Sequence, residues 1–300
     1  MTPATPAHPQ LPFTPALEQQ LRAWLNEDIG RGDLSAPALA GRRGAAQWIA
    51  RQAGVFCGGV LAAPLFALLD PAVEVRLLVA DGELLRPDQR VLELWGEASA
   101  LVAAERTALN LAMRLSGIAT ATAALVAQLE GTGVALADTR KTTPGLRVLE
   151  KYAVRCGGGR NHRLGLDDAA MLKENHLAWA GGVAPAIAAV RAQAPWPARV
   201  IVEAETEAEA TAAVRAGADG VLLDGFSPEQ LGALVPRLRQ LTPEAAAAGG
   251  RGAPVLEASG VDPQELRAYA ATGVDLISTS APVTRAPWLD LSMRFSLPLA

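Results

Sequence analysis

The scarcest polar residue types of this 300-residue chain are gathered in one stretch. All three lysines and two of the three histidines lie between positions 138 and 176. The stretch has a local charge of +3, from eight basic and five acidic residues, whereas the whole chain carries -4. A positive region on an acidic protein concentrates anionic ligands. We therefore expect a site for an anionic small molecule here.

Two motifs of the stretch supply cations. In the motif that starts at Asp138, Arg140 offers a planar fork for a carboxylate and Lys141 offers a compact charge for a phosphate. In the second motif Lys173 ends an apolar run, where burying an unpaired charge would be costly. A solvated basic turn and a lysine that reaches solvent are the simpler alternatives. His176, three residues further on, is equally well explained as a core histidine.

A third motif, Gly157 to Gly165, joins three glycines to His162 and Arg163. Glycine lets backbone N–H groups approach a ligand closely, because it carries no Cβ. A glycine run alone is a weak indication, and a flexible loop is the alternative. Followed by an asparagine, a histidine and an arginine, it is a stronger indication of a ligand site.

Carboxylates follow two later apolar runs, Glu203 with Glu205 and then Asp224. Carboxylates on neighbouring strand ends can hold Mg²⁺, which prefers oxygen ligands and often bridges to phosphates. They can also stabilise a developing oxocarbenium cation. The alternative is helix capping, most plausible for Glu205 because a predicted helix follows it.

Small hydroxyl residues and glycine follow the last two predicted strands. Ser259 and Gly260 come after one strand, and Ser280 closes a Ser-Thr-Ser run after the next. Hydroxyls and N–H groups at the start of a helix suit a phosphate. Each of these short motifs is weak when taken alone.

The elements that carry these residues alternate as strand and helix from about residue 134 onward. Six apolar strands are predicted, each followed by a polar residue, and a helix follows each of the first five. In an α/β barrel, functional groups lie at the carboxyl ends of several strands, whereas a doubly wound sheet uses only those near its switch point. Six polar endings favour a barrel over the doubly wound alternative. The predicted strands are 134–137, 169–172, 200–202, 220–223, 254–256 and 275–277.

The chain before this region predicts a separate small α/β sandwich. Residues 1–16 carry a proline at every third position and predict an extended tail. We expect the sandwich to span 17–115, with the final segment 286–300 returning to it, and the barrel to span 116–285. A helix is predicted from Ser99 to Leu115, ending at Ser116 and Gly117. Ala245 to Gly252 is predicted to be a loop without chemistry.

Composition excludes several classes of protein. A mildly negative chain does not suggest a nucleic-acid partner, and no uninterrupted apolar run approaches the roughly 18 residues that span a membrane. The amino terminus lacks the charged and apolar regions of a signal peptide. Two cysteines, Cys57 and Cys156, provide no disulfide framework, which fits the cytoplasm.

Taken together, these motifs resemble the quinolinate phosphoribosyltransferase family over nearly all of the chain after the tail. The resemblance is carried by five ordered segments and supported at both ends by Glu27–Asp33 and Leu289–Met293. The five segments are Glu105–Asn110, Leu115–Thr120, Asp138–Thr142, Gly157–Arg163 and Lys173–His176.

The resemblance implies an N-terminal α/β open sandwich, an incomplete TIM-like (β/α) barrel and a homodimer with shared active sites. It implies transfer of phosphoribosyl from 5-phosphoribosyl 1-pyrophosphate to quinolinate, with loss of CO₂, giving nicotinate mononucleotide for NAD biosynthesis. Mg²⁺ would be the cofactor, held by Glu203 and Asp224, with Lys141 at the ribosyl donor. The groups expected to bind the quinolinate carboxylates are Arg140, His162, Arg163, Lys173 and a partner's Arg106.

The resemblance also implies that Ser259 and Gly260 hold the 5′-phosphate. The chain departs from the family pattern over residues 280–285, and Ser280 with Arg285 are expected to supply the missing donors. A related phosphoribosyltransferase acting on another substrate remains an alternative. A non-catalytic dimer that binds a nucleotide is another, supported only by the altered segment.

Overall fold

The computed structural model describes residues 9–241 and 252–296. Half of the predicted tail, residues 1–8, and nearly all of the loop at Ala245 to Gly252 lie outside the described residues. By its contacts the chain divides into two compact units. The first comprises Met1–Ala123, Leu149–Gly158 and Arg285–Ala300, and the second comprises Ala124–Val148 and Gly159–Thr284.

Strands and helices are numbered here in chain order. The strands are β1 Arg43–Ala50, β2 Gly54–Val55, β3 Glu74–Leu77, β4 Leu84–Leu85, β5 Arg90–Glu97, β6 Ala135–Ala137, β7 Ala169–Leu172, β8 Arg199–Ala204, β9 Gly220–Asp224, β10 Val255–Ser259, β11 Leu276–Ser278 and β12 Leu291–Ser296. The helices are α1 Pro15–Ile29, α2 Ala62–Ala67, α3 Ala98–Gln128, α4 Arg147–Cys156, α5 Glu174–Ala180, α6 Val183–Gln193, α7 Glu207–Arg215, α8 Pro228–Gln240, α9 Leu266–Ala270 and α10 Ala281–Thr284.

The second unit is built on a parallel sheet in the order β6-β11-β10-β9-β8-β7. Strands β7 to β11 follow one another in a single direction, and the first strand, β6, pairs with the last, β11. A doubly wound sheet would instead reverse its order at a switch point. The order is therefore that of a barrel left open between β6 and β7, and the predicted incomplete barrel is confirmed.

Apolar strand residues and helix faces form the core of the barrel unit. The buried cluster includes Val202 in β8, Val221 in β9 and Leu256 in β10, packed with helix residues such as Leu231 and Leu238. These strands read as continuous apolar runs because both faces of a parallel sheet are covered. All six predicted strands are present, each within three residues of its predicted bounds.

The first unit contains an antiparallel sheet in the order β12-β1-β5-β3 and a small β2-β4 pair. Within the larger sheet, Trp48 in β1 and Leu92 and Leu94 in β5 are fully buried. Strand β12 pairs along β1, with Ala50 opposite Leu291. The carboxyl-terminal strand is therefore part of the sheet of the first unit.

Helix α3 is longer than the sequence predicted. It does not end at Ser116 and Gly117 but continues to Gln128, so the predicted end is wrong. Both residues serve close packing within the first unit. Ser116 Oγ accepts a hydrogen bond from Cys57 N–H at 2.9 Å, and a Cβ on Gly117 would lie 2.0 Å from the carbonyl oxygen of Pro287.

By length and composition alone, α3 could cross a membrane. Half of its most apolar window is buried inside the protein, which is also the pattern of a core helix. One such helix is weak evidence for a membrane protein.

Candidate active site

A cavity of about 330 Å³ opens at the carboxyl ends of the barrel strands. Strands β7 to β11 each contribute at least one residue, the segment after β6 contributes three, and the segment after α4 contributes two. The cavity is lined by Thr139, Arg140, Lys141, His162, Arg163, Met171, Lys173, Glu203, Leu222, Asp224, Glu257, Ser259 and Ser278. The tertiary structure thus brings together residues that are up to 139 positions apart.

Two arginines form one charged wall of this cavity. Burial lowers the pKa of Arg163, and the nearby positive charge of Arg140 lowers it further, against opposing effects of Asp168 and Glu203. Arg163 is held in place because its guanidinium donates to the carbonyl oxygen of Ala169 at 3.1 Å. Two like charges facing one space are stabilised by an anion placed between them.

Carboxylates and a lysine form a second wall. Lys173 Nζ lies 2.5 Å from Glu203 Oε2, with the lysine about half exposed. One oxygen from each of Glu203, Glu205 and Asp224 lies within 4.8 Å of the others. Hard oxygen donors at this spacing fit a divalent cation such as Mg²⁺.

The wall beside β6 is organised by a buried aspartate. Asp138, 1% exposed, accepts hydrogen bonds from His162 N–H at 2.8 Å and from Asn161 Nδ2 at 2.7 Å. Arg160 also bridges to Ala137 of β6 in a parallel sense. These bonds hold residues 160–162 alongside β6 at the open side of the barrel, and so place the next residue, Arg163, at the cavity.

The structure gives His176 and Glu205 local backbone roles. His176 is exposed, so it is not a core histidine, and its Nδ1 accepts a hydrogen bond from Lys173 N–H at 3.2 Å, which caps α5. The N-cap of α7 is Thr206 rather than Glu205. Glu205 is exposed beside the other two carboxylates.

Four predicted site residues do not line this cavity. Gly260 follows β10 with φ +73°, and a Cβ there would lie 3.1 Å from Asp224 Oδ1. The absence of a side chain therefore lets the backbone of Gly260 lie close to the carboxylate of Asp224. Ser280 precedes α10, and its carbonyl accepts from Thr284 N–H at 2.9 Å. Arg106 and Arg285 are exposed residues of the first unit. Their roles stay predictions.

Sequence reasoning missed Glu257, which lines the cavity from β10. The predicted strand ended at Leu256, so Glu257 was passed over. A usable indication was present, because Glu257 lies two residues before Ser259 and residues two apart on a strand share a face. A charged residue inside an apolar strand is a candidate for a site.

Comparison with known proteins identifies the family of the chain. Family models for the N-terminal and C-terminal domains of quinolinate phosphoribosyl transferase match residues 33–116 and 118–294. The chain is 44% identical over 280 residues to a probable carboxylating nicotinate-nucleotide pyrophosphorylase of Synechocystis, covering 93% of this chain and 92% of the relative. It is 38% identical over 276 residues to the carboxylating nicotinate-nucleotide pyrophosphorylase of Homo sapiens, covering 91% and 89%.

A solved structure of the nicotinate-nucleotide pyrophosphorylase from Francisella tularensis superposes with a TM-score of 0.84 at 36% identity, covering 96% of this chain and 99% of the other. Both domains are therefore accounted for by one family, over nearly the whole length of its members. The chain belongs to the quinolinate phosphoribosyltransferase family, the carboxylating nicotinate-nucleotide pyrophosphorylases.

Proposed function

We propose that this chain, as its family membership indicates, transfers phosphoribosyl from 5-phosphoribosyl 1-pyrophosphate to quinolinate and releases pyrophosphate and CO₂. The product is nicotinate mononucleotide, a precursor of NAD. The observation that carries the proposal is that Arg140 and Arg163 line one cavity together. A dicarboxylate neutralises these two cations better than a monocarboxylate, because it brings two negative charges.

The remaining lining residues support a site for the ribosyl donor. Glu203 and Asp224 line the same cavity, where carboxylates can stabilise positive charge that develops on the ribosyl carbon. The side chain of Lys141 makes no hydrogen bond or ion pair with the described residues, which leaves it available to the departing pyrophosphate. The site needs no nucleophilic side chain, since the substrate's own ring nitrogen attacks.

The bond changes follow from the substrates. The ring nitrogen of quinolinate attacks C1 of the ribosyl group, and pyrophosphate leaves with the electron pair of the broken C–O bond. The ring nitrogen is then positive. The bond from the ring to the adjacent carboxylate breaks, CO₂ leaves, and the remaining electron pair is stabilised beside the cationic nitrogen. A proton from water then completes nicotinate mononucleotide.

Mg²⁺ is the proposed cofactor, with Glu203 and Asp224 as its protein ligands. Their oxygens fit such an ion by type and by mutual distance, with Glu205 nearby as a third carboxylate. Bound there, Mg²⁺ would supply neutralisation of pyrophosphate charge. Lys173 pairs with Glu203 at 2.5 Å, so its charge and that of the metal would share one carboxylate.

We place the 5′-phosphate at Ser259 and Gly260, with Ser280 and Arg285 as further donors. Ser259 lines the cavity, and the missing side chain of Gly260 leaves room beside Asp224. Arg285→Ala should raise the Michaelis constant for the ribosyl donor and leave that for quinolinate unchanged. An unchanged donor constant would contradict the role of Arg285.

We also propose a homodimer in which Arg106 of one subunit completes the partner's site. Arg106 is exposed on α3, as such a role requires. Mixing inactive Arg106→Ala with inactive Lys173→Ala should restore one working site in each mixed dimer. No recovered activity, once subunit exchange has been measured, would contradict a shared site. We further propose the cytoplasm as the compartment of this protein, because its two cysteines, Cys57 and Cys156, are free and buried.

The direct test incubates the protein with quinolinate, the ribosyl donor and Mg²⁺, and follows nicotinate mononucleotide and CO₂. We expect both in equal amounts, and none when nicotinate replaces quinolinate or when Mg²⁺ is chelated. Arg163→Ala should abolish turnover, whereas Arg22→Ala, on the exposed face of α1, serves as a matched control. Product from nicotinate would favour a phosphoribosyltransferase of another substrate.

A further inference from the structure

The carboxylate of Glu257 lies in a costly place. It is 3% exposed in β10, between Leu256 and Ala258, which are both fully buried. Taking an ionised carboxylate out of water is unfavourable unless it is hydrogen-bonded or paired. Its Oε1 has no hydrogen-bond partner among the described residues, so the compensating interaction is made by the other oxygen, Oε2.

That interaction is with His162. Glu257 Oε2 lies 3.2 Å from His162 Nε2, and the two side chains are only 4% and 9% exposed. The other ring nitrogen, Nδ1, accepts a hydrogen bond from the backbone N–H of Arg163 at 2.7 Å. A nitrogen that accepts from an N–H group carries no proton of its own. The ring proton is therefore on Nε2, and it is donated to Glu257.

The hydrogen bonds form a chain that ends at a substrate-binding cation. Glu257 orients the His162 ring, the ring holds the backbone of Arg163, and the guanidinium of Arg163 faces the cavity. Asp138 holds the backbone N–H of His162 from the other side. A carboxylate that accepts from one ring nitrogen fixes both the tautomer and the orientation of a histidine.

We propose that Glu257 is a positioning residue: it fixes His162 as the neutral Nε2–H tautomer and thereby sets Arg163 for a substrate carboxylate. In this arrangement both ring nitrogens have partners within the protein, and His162 links Glu257 to Arg163. The inference rests on the proposed function. It adds a residue and a tautomer that the sequence analysis did not assign.

Kinetics of three variants test the link. Glu257→Leu should raise the Michaelis constant for quinolinate about tenfold and change that for the ribosyl donor by less than about twofold. Glu257→Gln keeps an acceptor for Nε2–H and should recover most of the loss. In a His162→Ala background, Glu257→Leu should add little, because the link is already broken. Additive losses, or a Glu257→Gln variant as impaired as Glu257→Leu, would overturn the proposal.

The tautomer is read independently of turnover. With ¹⁵N-histidine labelling the chain has only three histidines to assign, and His162→Ala identifies the signal. We expect a protonated Nε2 and an unprotonated Nδ1 in the wild type, and loss of that fixed pattern in Glu257→Leu. A protonated Nδ1 in the wild type would overturn the proposal. If no product forms with any substrate, the proposed function fails while this measurement still stands.

Discussion

Two charged regions of this molecule are built in opposite ways. In the first unit, Asp81 is 4% exposed, and the protein itself supplies the hydrogen-bond donors to its carboxylate. Oδ1 accepts from Gly59 N–H at 2.8 Å, and Oδ2 accepts from Gly58 N–H at 3.0 Å and from Tyr152 Oη at 2.9 Å. Cys57 and Cys156 lie beside it, each within 4.8 Å of the carboxylate.

The cavity of the barrel unit contains two cations without such partners among the described residues. Arg140 and Lys141 make no side-chain hydrogen bond or ion pair with the described residues, and the charge of Arg140 opposes that of Arg163. A charged group that the fold satisfies serves stability, whereas one left with open hydrogen-bonding capacity serves a ligand. The comparison predicts that replacing cavity residues removes activity and spares stability, while replacing residues of the buried clusters does the reverse.

The largest expected effect is on catalysis. Lys173→Ala should lower kcat/KM about 10³-fold, because it removes a positive charge where an anion binds and reacts. Its side chain is about half exposed, so the free energy of unfolding should change little. Steady-state kinetics and chemical denaturation of the same preparation measure both. A variant that loses stability together with activity would break the comparison.

The largest expected effect on stability comes from a buried ion pair of the first unit. Arg114 Nη2 lies 2.8 Å from Oε1 of Glu150, whose side chain is fully buried. Arg114→Leu removes this cation from a buried carboxylate and should cost about 3 kcal/mol of unfolding free energy. The double variant Arg114→Leu with Glu150→Leu should recover part of this cost. Recovery would show that the loss of the ion pair, rather than lost packing, is responsible.

Asp81→Asn should have an intermediate effect on stability. Its amide can accept from one side only, so at least one buried N–H loses a partner, at a cost of about 2 kcal/mol. The pKa of Asp81 is raised by burial above its ordinary 3.8, although its hydrogen bonds lower it. The wild type therefore loses stability as pH rises through the folded pKa of Asp81, and the variant does not.

Denaturation near pH 4 and near pH 7 checks this sign. The cost of Asp81→Asn should be larger near pH 4 than near pH 7. A cost that grew with pH would mean that the folded protein stabilises the ionised form of Asp81. Turnover per folded molecule should equal that of the wild type at both values.

The smallest expected effect is on stability, at Thr206, which lies at the edge of the site. Thr206 follows Glu205, yet its bonds are internal: its Oγ1 accepts from Glu209 N–H at 3.2 Å, and its own N–H donates to Glu209 Oε2 at 3.1 Å. Thr206→Ala should cost about 1 kcal/mol of stability through the lost cap. It should leave kcat/KM unchanged, with Thr206→Ser as the matched control. A fall in kcat/KM larger than that of the serine variant would contradict the comparison. It would show that a residue whose hydrogen bonds are made within the protein can still be needed for activity.

Periodicity and residue type determined much of this protein. Apolar runs alternating with helical patterns predicted the six barrel strands, because a strand covered on both faces must be apolar throughout. Of the polar residues that end those runs, Lys173, Glu203, Asp224 and Ser259 line the cavity. Local chemistry suffices there, because the carboxyl ends of parallel strands meet at one edge of the sheet.

Only the tertiary structure decided the rest, where a residue's meaning depends on partners distant along the chain. Ser116 and Gly117 resembled a helix end, yet contacts with Cys57 and Pro287 make them packing residues inside α3. The buried carboxylate of Asp81 accepts a hydrogen bond from Tyr152, 71 positions away along the chain. Glu257 and His162 are 95 positions apart, and no spacing rule links them, because hydrogen bonding acts at about 3 Å in space and not along the sequence.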